Sequence, residues 1–344
     1  MAEGGEIETA APGGAGGGDD GGVVGEDPAN VDFEDLDPLP APEVGSAAGD
    51  TPDVAEPVEF GLGAEDALVE AAYESPYGEL IATEMKVVTW NLWWRFGPWE
   101  QRLDAIRTTL AELDADVYAF QEVWEEGDSN LAAILAEGLG YHHVFRSWTE
   151  HEGVRFGNAV VSRWPIGTSR WIDFGDPEGS THRNALMAEI DGPRGPLQVF
   201  CTHLNWKLFE SGVRQRQVGE LARFVADCRP RRFPAVVCGD FNAEPTSDEI
   251  AMMTGLTTVP VPGLAFFDAW RVGGDGASSG HTWSNRNPFA AAVLEPDRRI
   301  DYVFTGWPRA GGAGHVVGCR VVGDSPVAGV WPSDHFGVEA RLRY

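Results

Sequence analysis

Two periods of hydrophobic residues alternate along this chain from residue 85 onward. Short apolar runs with a period of two indicate strands, and they are separated by stretches in which apolar residues recur every three or four positions, as on one face of a helix. The predicted strands cover residues 86–94, 117–123, 141–147, 157–166, 184–190, 197–204, 234–240, 299–305, 315–322 and 336–342. The predicted helices cover residues 98–113, 130–139 and 211–228. This mixture predicts an α/β protein in which two packed sheets carry helices on their outer faces.

The pattern changes before residue 85. The first 84 residues hold 22 acidic side chains and no lysine or arginine, so most of the formal net charge of −29 lies there. Residues 1–60 are rich in Gly, Ala, Pro, Asp and Glu, with few large apolar residues, and we interpret them as an acidic disordered leader. Residues 61–84 have apolar residues at loosely helical spacing and are interpreted as a short docking helix or a linker. Residues 85–344 are expected to form one domain with a large core.

The composition argues against several classes of protein. No apolar run is long enough to span a bilayer, and the basic start and following apolar stretch of an export signal are missing. We therefore predict a soluble, cytoplasmic protein without stable membrane association, and the sequence indicates no obligate protein partner. Four cysteines in 344 residues do not make a disulfide framework, and none lies within zinc-binding spacing of another.

Polar residues with acid–base or metal chemistry follow some of the predicted strands. Gly239-Asp240-Phe241-Asn242 comes directly after the apolar run 235–238, and the period of two sends Asp240 and Asn242 to the same side. A plain turn is the alternative, since Gly, Asp and Asn are common turn formers. Glu122 is predicted at the end of a strand, where it would be a hard oxygen ligand for a cation. An exposed carboxylate at a strand end is the alternative there.

A second group of polar residues lies near the C-terminus. Asp334 and His335 can serve one site only if they lie in the loop before the last strand, because neighbouring residues of a strand face opposite sides. A solvated turn is the alternative. Asp301 lies in an otherwise apolar strand, so its carboxylate needs a partner. A histidine would suit, and a salt bridge to Arg298 or Arg299 is the alternative.

Six short segments, in this order, carry a family resemblance. They are Trp90-Asn91, Gln121-Glu122, Thr202-His203, Gly239-Asp240-Phe241-Asn242, Arg299-Ile300-Asp301-Tyr302 and Ser333-Asp334-His335. With them, the body of the chain resembles the endonuclease/exonuclease/phosphatase superfamily, the DNase I-like metal-dependent phosphoesterases. The resemblance implies a four-layered α/β sandwich, made of two packed mixed sheets flanked by helices. It also implies cleavage of phosphoester bonds with Mg²⁺ or Mn²⁺.

The resemblance assigns three residues to the metal. It implies that Asn91 and Glu122 help to hold the cation, with Asp334 at or near it. Carboxylate and amide oxygens suit a hard cation such as Mg²⁺, which agrees with this assignment.

Five residues receive catalytic roles from the same resemblance. His203 would contact the scissile phosphate, and Asp240 would orient or deprotonate the attacking water with the help of Asn242. Asp301 would brace His335, which would stabilise the charge that grows on the phosphate. These roles describe hydrolysis without a covalent intermediate.

Four further residues are expected to contact the substrate. Asn158 lies in a segment that resembles a core strand of the family, and Arg214 matches a helix position often seen there. Trp124 and Trp206 lie within a few residues of predicted site residues and could stack on a base or hold an acyl chain. Packing is the alternative for the tryptophans, and a solvated helix face is the alternative for the arginine.

The substrate stays open at this point. Thr202-His203 resembles pancreatic-type deoxyribonucleases, sphingomyelinases and bacterial phosphodiesterases more than abasic-site endonucleases, and Phe241-Asn242 weighs against the tyrosyl-DNA phosphodiesterase branch. Residues 85–344 hold 32 acidic and 25 basic side chains, so a broad basic footprint for a nucleic acid duplex is missing. The sequence therefore predicts a metal-dependent phosphodiesterase of endonuclease or exonuclease type, for which nucleic acid is one open substrate. The alternatives are a sphingomyelinase-type lipid phosphodiesterase and a catalytically inactive binding scaffold.

Overall fold

The computed structural model describes residues 77–175, 182–228 and 232–344. Within them the strands are β1 (Glu84–Asn91), β2 (Val117–Glu126), β3 (Ser129–Asn130), β4 (His142–His151), β5 (Val154–Ser162), β6 (Ile166–Asp173), β7 (Asn184–Gly192), β8 (Gly195–His203), β9 (Val236–Asp240), β10 (Phe267–Asp268), β11 (Asp301–Thr305), β12 (Val316–Val322) and β13 (Gly337–Arg343). The helices are α1 (Trp99–Leu113), α2 (Leu131–Leu139), α3 (Ser211–Asp227), α4 (Asp248–Thr254), α5 (Ala269–Gly273) and α6 (Pro288–Ala291).

The strands of the described residues form two mixed sheets. One has the order β12-β13-β1-β2-β5-β4, with β3 paired to β2, and the other has the order β10-β11-β9-β8-β7-β6. The pairs β1/β2 and β8/β9 are parallel, whereas the neighbouring pairs are antiparallel. Because parallel neighbours end at the same edge, these two pairs bring the carboxyl ends of four strands to one end of the molecule.

Hydrophobic packing defines four layers. One core cluster joins the two sheets and includes Val87 of β1 and Val199 of β8, both fully buried. A second cluster packs α1 and α2 against the first sheet, and a third packs α3 and α4 against the other. Each large apolar side chain buried in this way contributes about 1.5–3 kcal/mol. The predicted four-layered α/β sandwich is confirmed.

Local sequence signals set the ends of the first two helices. α1 begins directly after Pro98, which cannot donate a backbone hydrogen bond. α2 begins directly after Asn130, whose side chain caps the helix by accepting a hydrogen bond from Ala133 N at 3.2 Å. It ends at Gly140 with φ 70°, a left-handed conformation that glycine adopts without strain. Both helices therefore lie close to their predicted ranges.

Strand β6 was not predicted, and its exposure explains why. It forms the edge of the second sheet, and most of its residues are exposed or half-buried, including Trp171. Polar and charged residues suit such an edge, so the strand carries little apolar signal. The short helices α4, α5 and α6 were also missed, because helices of four to seven residues hold too few turns to establish a period.

The described end of the predicted docking segment is not helical. Residues 77–83 lie beside the turn Ala310–Gly312, where Ile81 N donates to Gly311 O at 2.8 Å and Gly311 N donates to Tyr77 O at 2.8 Å. The rest of that prediction, over residues 61–76, and the leader over residues 1–60 lie outside the described residues.

Two predictions from composition can be compared with the structure. No helix of the described residues is long and apolar enough to cross a membrane. The four cysteines are buried thiols that are not joined by disulfides within the described residues.

Candidate active site

One end of the sandwich gathers polar side chains from both sheets. Asn91, His203 and Asp240 are the last residues of β1, β8 and β9, and the pairing of β8 with β9 places His203 beside Asp240. β11 runs antiparallel to β9, so its first residue, Asp301, pairs with Asp240. Of these residues, His203 and Asp240 line a cleft of about 350 Å³. Its lining includes the predicted site residues Glu122, His203, Asp240, Asn242, Asp334 and His335.

Glu122 reaches this cleft through a bulge in β2. The prediction that it ends a strand was wrong, because β2 continues to Glu126 and its register with β5 shifts between Phe120 and Val123. Glu122 has φ 57°, a left-handed conformation that a non-glycine residue keeps only where its surroundings enforce it. The extra residue of a bulge re-aims a side chain. Here it brings Glu122 Oε1 within 3.2 Å of Asn91 Nδ2, which donates to it.

The carboxylate of Asp240 is held at both oxygens. Oδ1 accepts a hydrogen bond from Asn242 N at 2.9 Å, and Oδ2 accepts one from Asn91 Nδ2 at 3.1 Å. Burial, together with the charge of Asp301, raises the pKa of Asp240 to about 6, against the opposing effect of His335. Asn242 follows β9 with φ 50°, so it reaches the site through a left-handed turn rather than through strand alternation. Asp240 is thus a carboxylate of the basicity that suits proton transfer near neutral pH.

Asn242 fixes the position of the proton on His203. Asn242 Nδ2 donates to Leu204 O at 3.2 Å and lies 3.0 Å from His203 Nε2. Because an amide nitrogen only donates, Nε2 must accept, and the imidazole proton is on Nδ1. Burial and the nearby charges of Arg183 and His335 lower the pKa of His203 well below its usual value, so the ring is neutral. Its Nδ1 is buried without a hydrogen-bond partner among the described residues, so it can donate to a ligand.

Asp301 and His335 form the predicted carboxylate–histidine pair. Asp301 Oδ2 lies 3.0 Å from His335 Nδ1, and the alternative of a salt bridge to Arg298 or Arg299 is wrong because both arginines pair elsewhere. Burial lowers the pKa of His335, but the carboxylates of Asp301 and Asp240 outweigh it and raise the pKa to about 10. The ring is therefore charged. Its Nε2–H lies 3.7 Å from Asp240 Oδ2, at the floor of the cleft.

Asp334 lies in the loop before β13, as the sequence predicted. Ser333 Oγ donates to Asn91 O at 2.7 Å and also lies 3.3 Å from Asp334 Oδ1. Asn287 Nδ2 donates to Ser333 O at 2.7 Å and to Asp334 O at 3.2 Å, which fixes the loop from the other side. Burial raises the pKa of Asp334, since a carboxylate is costly to charge away from water.

The predicted metal ligands fit a hard cation. Glu122 Oε2 is buried and has no hydrogen-bond partner among the described residues, whereas Asn91 holds the other oxygen of the same carboxylate. Burial, with the charge of Asp334, raises the pKa of Glu122 to about 7. A divalent cation at Glu122 would satisfy this oxygen and offset the repulsion between the two carboxylates.

A second group of side chains could also hold a metal ion. Asp240, Asp301 and His335 each offer one ligand atom, and these atoms lie within 4.8 Å of one another. However, a charged imidazole has no lone pair for a metal, and His335 Nδ1 is already bonded to Asp301. The group that includes Glu122 therefore fits a cation better than this second group does.

Several cleft residues were missed by the sequence analysis, among them Arg183 and Trp283. Arg183 lies just before β7 and lines the cleft, and Trp283 packs its ring edge-on against His335 at 5.0 Å. Neither residue belongs to a motif with a characteristic spacing. A lone arginine before a strand and one tryptophan among 13 carry no signal of their own in the sequence.

Of the four predicted substrate contacts, only Trp206 lines the cleft. It is 53% exposed, so its ring is accessible at the edge of the site. Asn158 is fully buried instead, and its Nδ2 donates to Asn184 Oδ1 at 2.9 Å across the two sheets. The placement of Asn158 at the substrate was therefore wrong, because its amide group joins the two sheets.

Arg214 and Trp124 are also structural residues. Arg214 Nε donates to Glu249 Oε1 at 2.6 Å, and Nη1 donates to Lys207 O at 2.8 Å, so the guanidinium fixes the loop that carries Trp206. Arg214 is therefore neither a substrate contact nor part of a solvated helix face. Trp124 is buried beneath Arg95, whose guanidinium lies 4.2 Å from the ring centroid. The prediction that Trp124 contacts the substrate was therefore wrong, because its ring packs inside the protein.

The fold and this site define a phosphoesterase, and comparison with known proteins gives the same class. The profile of the Endonuclease/Exonuclease/phosphatase family matches residues 88–335. The chain therefore belongs to this family, which is part of a superfamily of nucleases and phosphatases. A search of curated proteins found no match.

Solved structures with a similar fold come from animals and bacteria. TDP2 of D. rerio, complexed with a single-strand DNA product, has a TM-score of 0.61 and 19% identity, over 76% of this chain and 100% of that chain. Truncated Caenorhabditis elegans TDP2 has a TM-score of 0.60 and 19% identity, over 77% of this chain and 100% of that chain. The endonuclease/exonuclease/phosphatase from Beutenbergia cavernae has a TM-score of 0.55 and 26% identity, over 76% of this chain and 71% of that chain. The TDP2 likenesses show the fold alone, so the substrate stays a matter for proposal.

Proposed function

We propose that the protein is a metal-dependent phosphodiesterase that hydrolyses its substrate by direct attack of water on phosphorus. The observation that carries this proposal is the meeting of three groups at one cleft. They are the Glu122 carboxylate with an unpartnered oxygen, the Asp240 carboxylate with a pKa of about 6, and His335 charged by Asp301. Together they supply a cation ligand, a base and a hydrogen-bond donor for the transition state.

The contacts suggest how protons and charge are handled. Asp240 Oδ2, which faces both histidines, takes the proton of the attacking water. His335 keeps its Nδ1 proton on Asp301 and presents Nε2–H to a phosphoryl oxygen, while His203 presents Nδ1–H. A divalent cation, Mg²⁺ or Mn²⁺, adds positive charge that polarises the phosphoryl oxygen and lowers the pKa of water when it is bound.

Single-stranded nucleic acid is the substrate that we propose first. One structural relative, D. rerio TDP2, was crystallised with a single-strand DNA product. The exposed ring of Trp206 at the cleft could stack on an unpaired base, a contact worth about 1–3 kcal/mol. The excess of acidic over basic residues after position 84 weighs against a broad contact with a duplex backbone.

A lipid phosphodiester is the second candidate, and an apolar rim favours it. Trp206 and Val293 line the cleft, and their chain neighbours Leu208, Phe209 and Leu294 are 57%, 84% and 90% exposed. Large apolar side chains exposed together beside a cleft often mark a surface that contacts a partner or a lipid. The rim could therefore hold an acyl chain beside the scissile phosphate.

One panel of substrates tests the reaction and separates the candidates. Purified protein is incubated with bis-p-nitrophenyl phosphate, single-stranded DNA, plasmid, RNA and sphingomyelin vesicles, each with Mg²⁺, Mn²⁺ or excess EDTA. We expect metal-dependent hydrolysis of bis-p-nitrophenyl phosphate and of single-stranded nucleic acid. Turnover of sphingomyelin alone would favour the lipid candidate. If the folded protein hydrolyses none of the substrates, the remaining interpretation is a catalytically inactive binding scaffold.

A further inference from the structure

Helix α1 buries an arginine on its apolar face. The buried residues of this helix lie mostly three and four positions apart, as on one side of a helix, and Arg102 is the first of them. Its side chain is 1% exposed. Arginine residues that are this deeply buried normally have partners, because an unsatisfied charge or donor away from water is costly. The groups that Arg102 binds therefore indicate its role.

All five N–H groups of Arg102 donate to backbone carbonyl oxygens, and these oxygens belong to two loops. Four of them lie in the loop between β1 and α1, and the fifth lies in the loop before β13. The bonds run from Nε to Phe96 O at 3.2 Å, from Nη1 to Leu92 O at 2.9 Å and Pro332 O at 3.0 Å, and from Nη2 to Trp93 O at 2.8 Å and Trp94 O at 2.9 Å. A lysine could not make these contacts, since its three donors diverge from one nitrogen. The guanidinium thus joins two segments that are far apart in the sequence.

The first of these loops holds two residues in a strained backbone conformation. Trp93 and Trp94 have φ of 54° and 34°, and non-glycine residues keep such left-handed conformations only where their surroundings enforce them. The same two residues supply the carbonyls that Nη2 of Arg102 binds. The guanidinium also lies 4.8 Å from the ring centroid of Trp93, which lines the cleft. Arg102 therefore stabilises a loop conformation that the local sequence does not favour.

That conformation orients Asn91, the last residue of β1. Trp93 N donates to Asn91 Oδ1 at 2.9 Å. Because the oxygen of the amide group is held there, its nitrogen is directed to Glu122 Oε1 and Asp240 Oδ2, to which it donates at 3.2 and 3.1 Å. Asn91 thus joins the carboxylate proposed for the cation to the carboxylate proposed as the base. Its orientation depends on Trp93, and the conformation of Trp93 depends on Arg102.

The second loop begins at Pro332 and carries Asp334 and His335. Its far end is fixed to β1, because Trp90 Nε1 donates to His335 O at 3.0 Å. Its near end is fixed by Arg102, whose Nη1 donates to Pro332 O and, from the same nitrogen, to the first loop. One guanidinium nitrogen therefore sets the distance between the two loops.

A comparison with Arg214 shows what is particular to Arg102. Arg214 is similarly buried and also binds backbone carbonyls, but Glu249 neutralises it at 2.6 Å. The five donors of Arg102 are all used by carbonyls, so carboxylates act on its charge only at longer range. Burial lowers the pKa of Arg102 to about 10, against the opposing effects of Asp334 and Glu122, so the side chain stays charged at neutral pH. Arg214 completes an ion pair, whereas Arg102 binds loops of the candidate site.

We propose that Arg102 is a positioning residue, which fixes residues 92–96 and 332–335 relative to each other and thereby orients Asn91 and Asp334. It is not part of the lining of the cleft, so it acts through these loops rather than on the substrate. Groups that orient metal ligands affect metal affinity and turnover nearly as strongly as the ligands themselves. This inference rests on the proposed phosphodiesterase function, which places Asn91 and Asp334 at the cation.

Hydrogen exchange of the metal-free, full-length protein tests the positioning apart from turnover. The wild type is compared with Arg102→Lys, which keeps the positive charge but not the fork of five donors. We expect the amides of residues 92–96 and 333–335 to exchange faster together, with no change in β9, which is the internal reference for global unfolding. Arg214→Lys is the matched control, because it changes an equally buried arginine that binds carbonyls elsewhere. It should leave both loops as protected as in the wild type.

Binding of Mn²⁺ distinguishes positioning from an effect of charge. Arg102→Met removes a positive charge that acts on Asp334 and Glu122, so by charge alone Mn²⁺ should bind more tightly. Positioning predicts the opposite, and we expect Arg102→Met and Arg102→Lys each to weaken Mn²⁺ binding, measured by calorimetry, about 10- to 100-fold. At saturating Mn²⁺, kcat for bis-p-nitrophenyl phosphate should still fall about tenfold, whereas KM should change little because no substrate contact is removed. Arg214→Lys should bind Mn²⁺ as the wild type does.

Separate outcomes decide the two ideas. If the wild type hydrolyses no phosphodiester with any metal, the proposed function fails, whereas the exchange of the two loops still decides whether Arg102 holds them. If the wild type is active and Arg102→Lys matches it in loop exchange, Mn²⁺ affinity and kcat, the inference is wrong. Tighter Mn²⁺ binding by Arg102→Met would show that Arg102 acts through its charge, which also overturns it. Loss of the native fold in both variants, judged by circular dichroism, would make Arg102 a folding residue and overturn it as well.

Discussion

Two buried clusters of charge in this molecule have opposite characters. Beneath α3, Arg214 and Glu249 form an ion pair at 2.6 Å, Ser211 Oγ donates to the second oxygen of Glu249 at 2.8 Å, and backbone carbonyls use the remaining donors of the arginine. At the cleft, Glu122 Oε2 and the guanidinium of Arg183 stay without close partners among the described residues. The two arginines are similarly buried, with 4% of Arg214 and 7% of Arg183 exposed, so the burial of the arginines alone does not explain the difference.

The two clusters differ in whether their polar groups find hydrogen-bond partners within the protein. A cluster that completes its own hydrogen bonds stabilises one conformation and has nothing left for a ligand. A cluster with open oxygens and open N–H groups is costly in the free protein, and the cost is offset when a cation and a phosphate arrive. Glu122 of this second cluster and its cleft neighbour Asn242 also have left-handed backbone conformations, with φ of 57° and 50°. Such strain tends to collect at functional sites.

The largest effect is expected from Asp240→Asn. The change keeps the shape of the side chain but removes the charge that accepts the proton of water, so kcat/KM should fall about 10³- to 10⁴-fold. Hydrolysis of bis-p-nitrophenyl phosphate measures it, and the thermal melting curve checks that the fold is intact. Asp248→Asn is the matched control, since Asp248 is exposed at the start of α4 and should be silent. Near-normal turnover of Asp240→Asn would remove Asp240 from its role as base.

The second largest effect is expected at the satisfied cluster. Arg214→Met leaves Glu249 charged and buried without its partner, so the free energy of unfolding should fall by about 3–5 kcal/mol. Urea denaturation measures it. The double variant Arg214→Met with Glu249→Leu removes both charges and should recover most of the loss. Turnover of the folded single variant should change less than about tenfold. A variant as stable as the wild type would show that this pair does not hold α3 and α4 together.

A smaller effect of opposite sign is expected from Glu122→Gln. The substitution removes a buried charge with an unpartnered oxygen, so the protein in EDTA should gain about 1 kcal/mol of stability. The wild type should gain stability when Mn²⁺ is added, by about 2.7 kcal/mol at 100 times its Kd, and the variant should not. Thermal melting with and without metal measures both. Equal stabilisation of the two proteins by Mn²⁺ would place the cation elsewhere in the cleft.

Periodicity was enough for most of the fold. The elements with a clear apolar pattern, such as α1 and β9, lie close to their predicted ranges because burial of one face selects them. The edge strand β6 and the short helices had no such pattern. The order of strands in each sheet also depends on contacts between residues far apart in sequence, which no local pattern contains.

The candidate site was predicted partly from strand patterns and partly from the family resemblance. Asp240 was indicated because it follows an apolar strand, and the histidine partner of Asp301 was indicated because a buried carboxylate requires a partner. His203 was assigned from the resemblance alone. Arg183 was missed, because a lone arginine before a strand has no pattern of its own in the sequence. Conversely, Arg214 looked available in the sequence, but it is used by Glu249, which lies 35 residues further along the chain.

The smallest effect is expected from deletion of residues 1–60, and it tests whether these residues contribute to stability or turnover. They carry 16 acidic side chains and no basic ones. Their composition predicts a disordered leader, because such a segment cannot bury enough apolar surface to offset the entropy of ordering. We therefore expect the deletion to leave the melting temperature and kcat/KM unchanged at low and physiological salt. A clear fall in either quantity would contradict the interpretation of these residues as a disordered leader, because a disordered segment contributes no packing to the body of the protein.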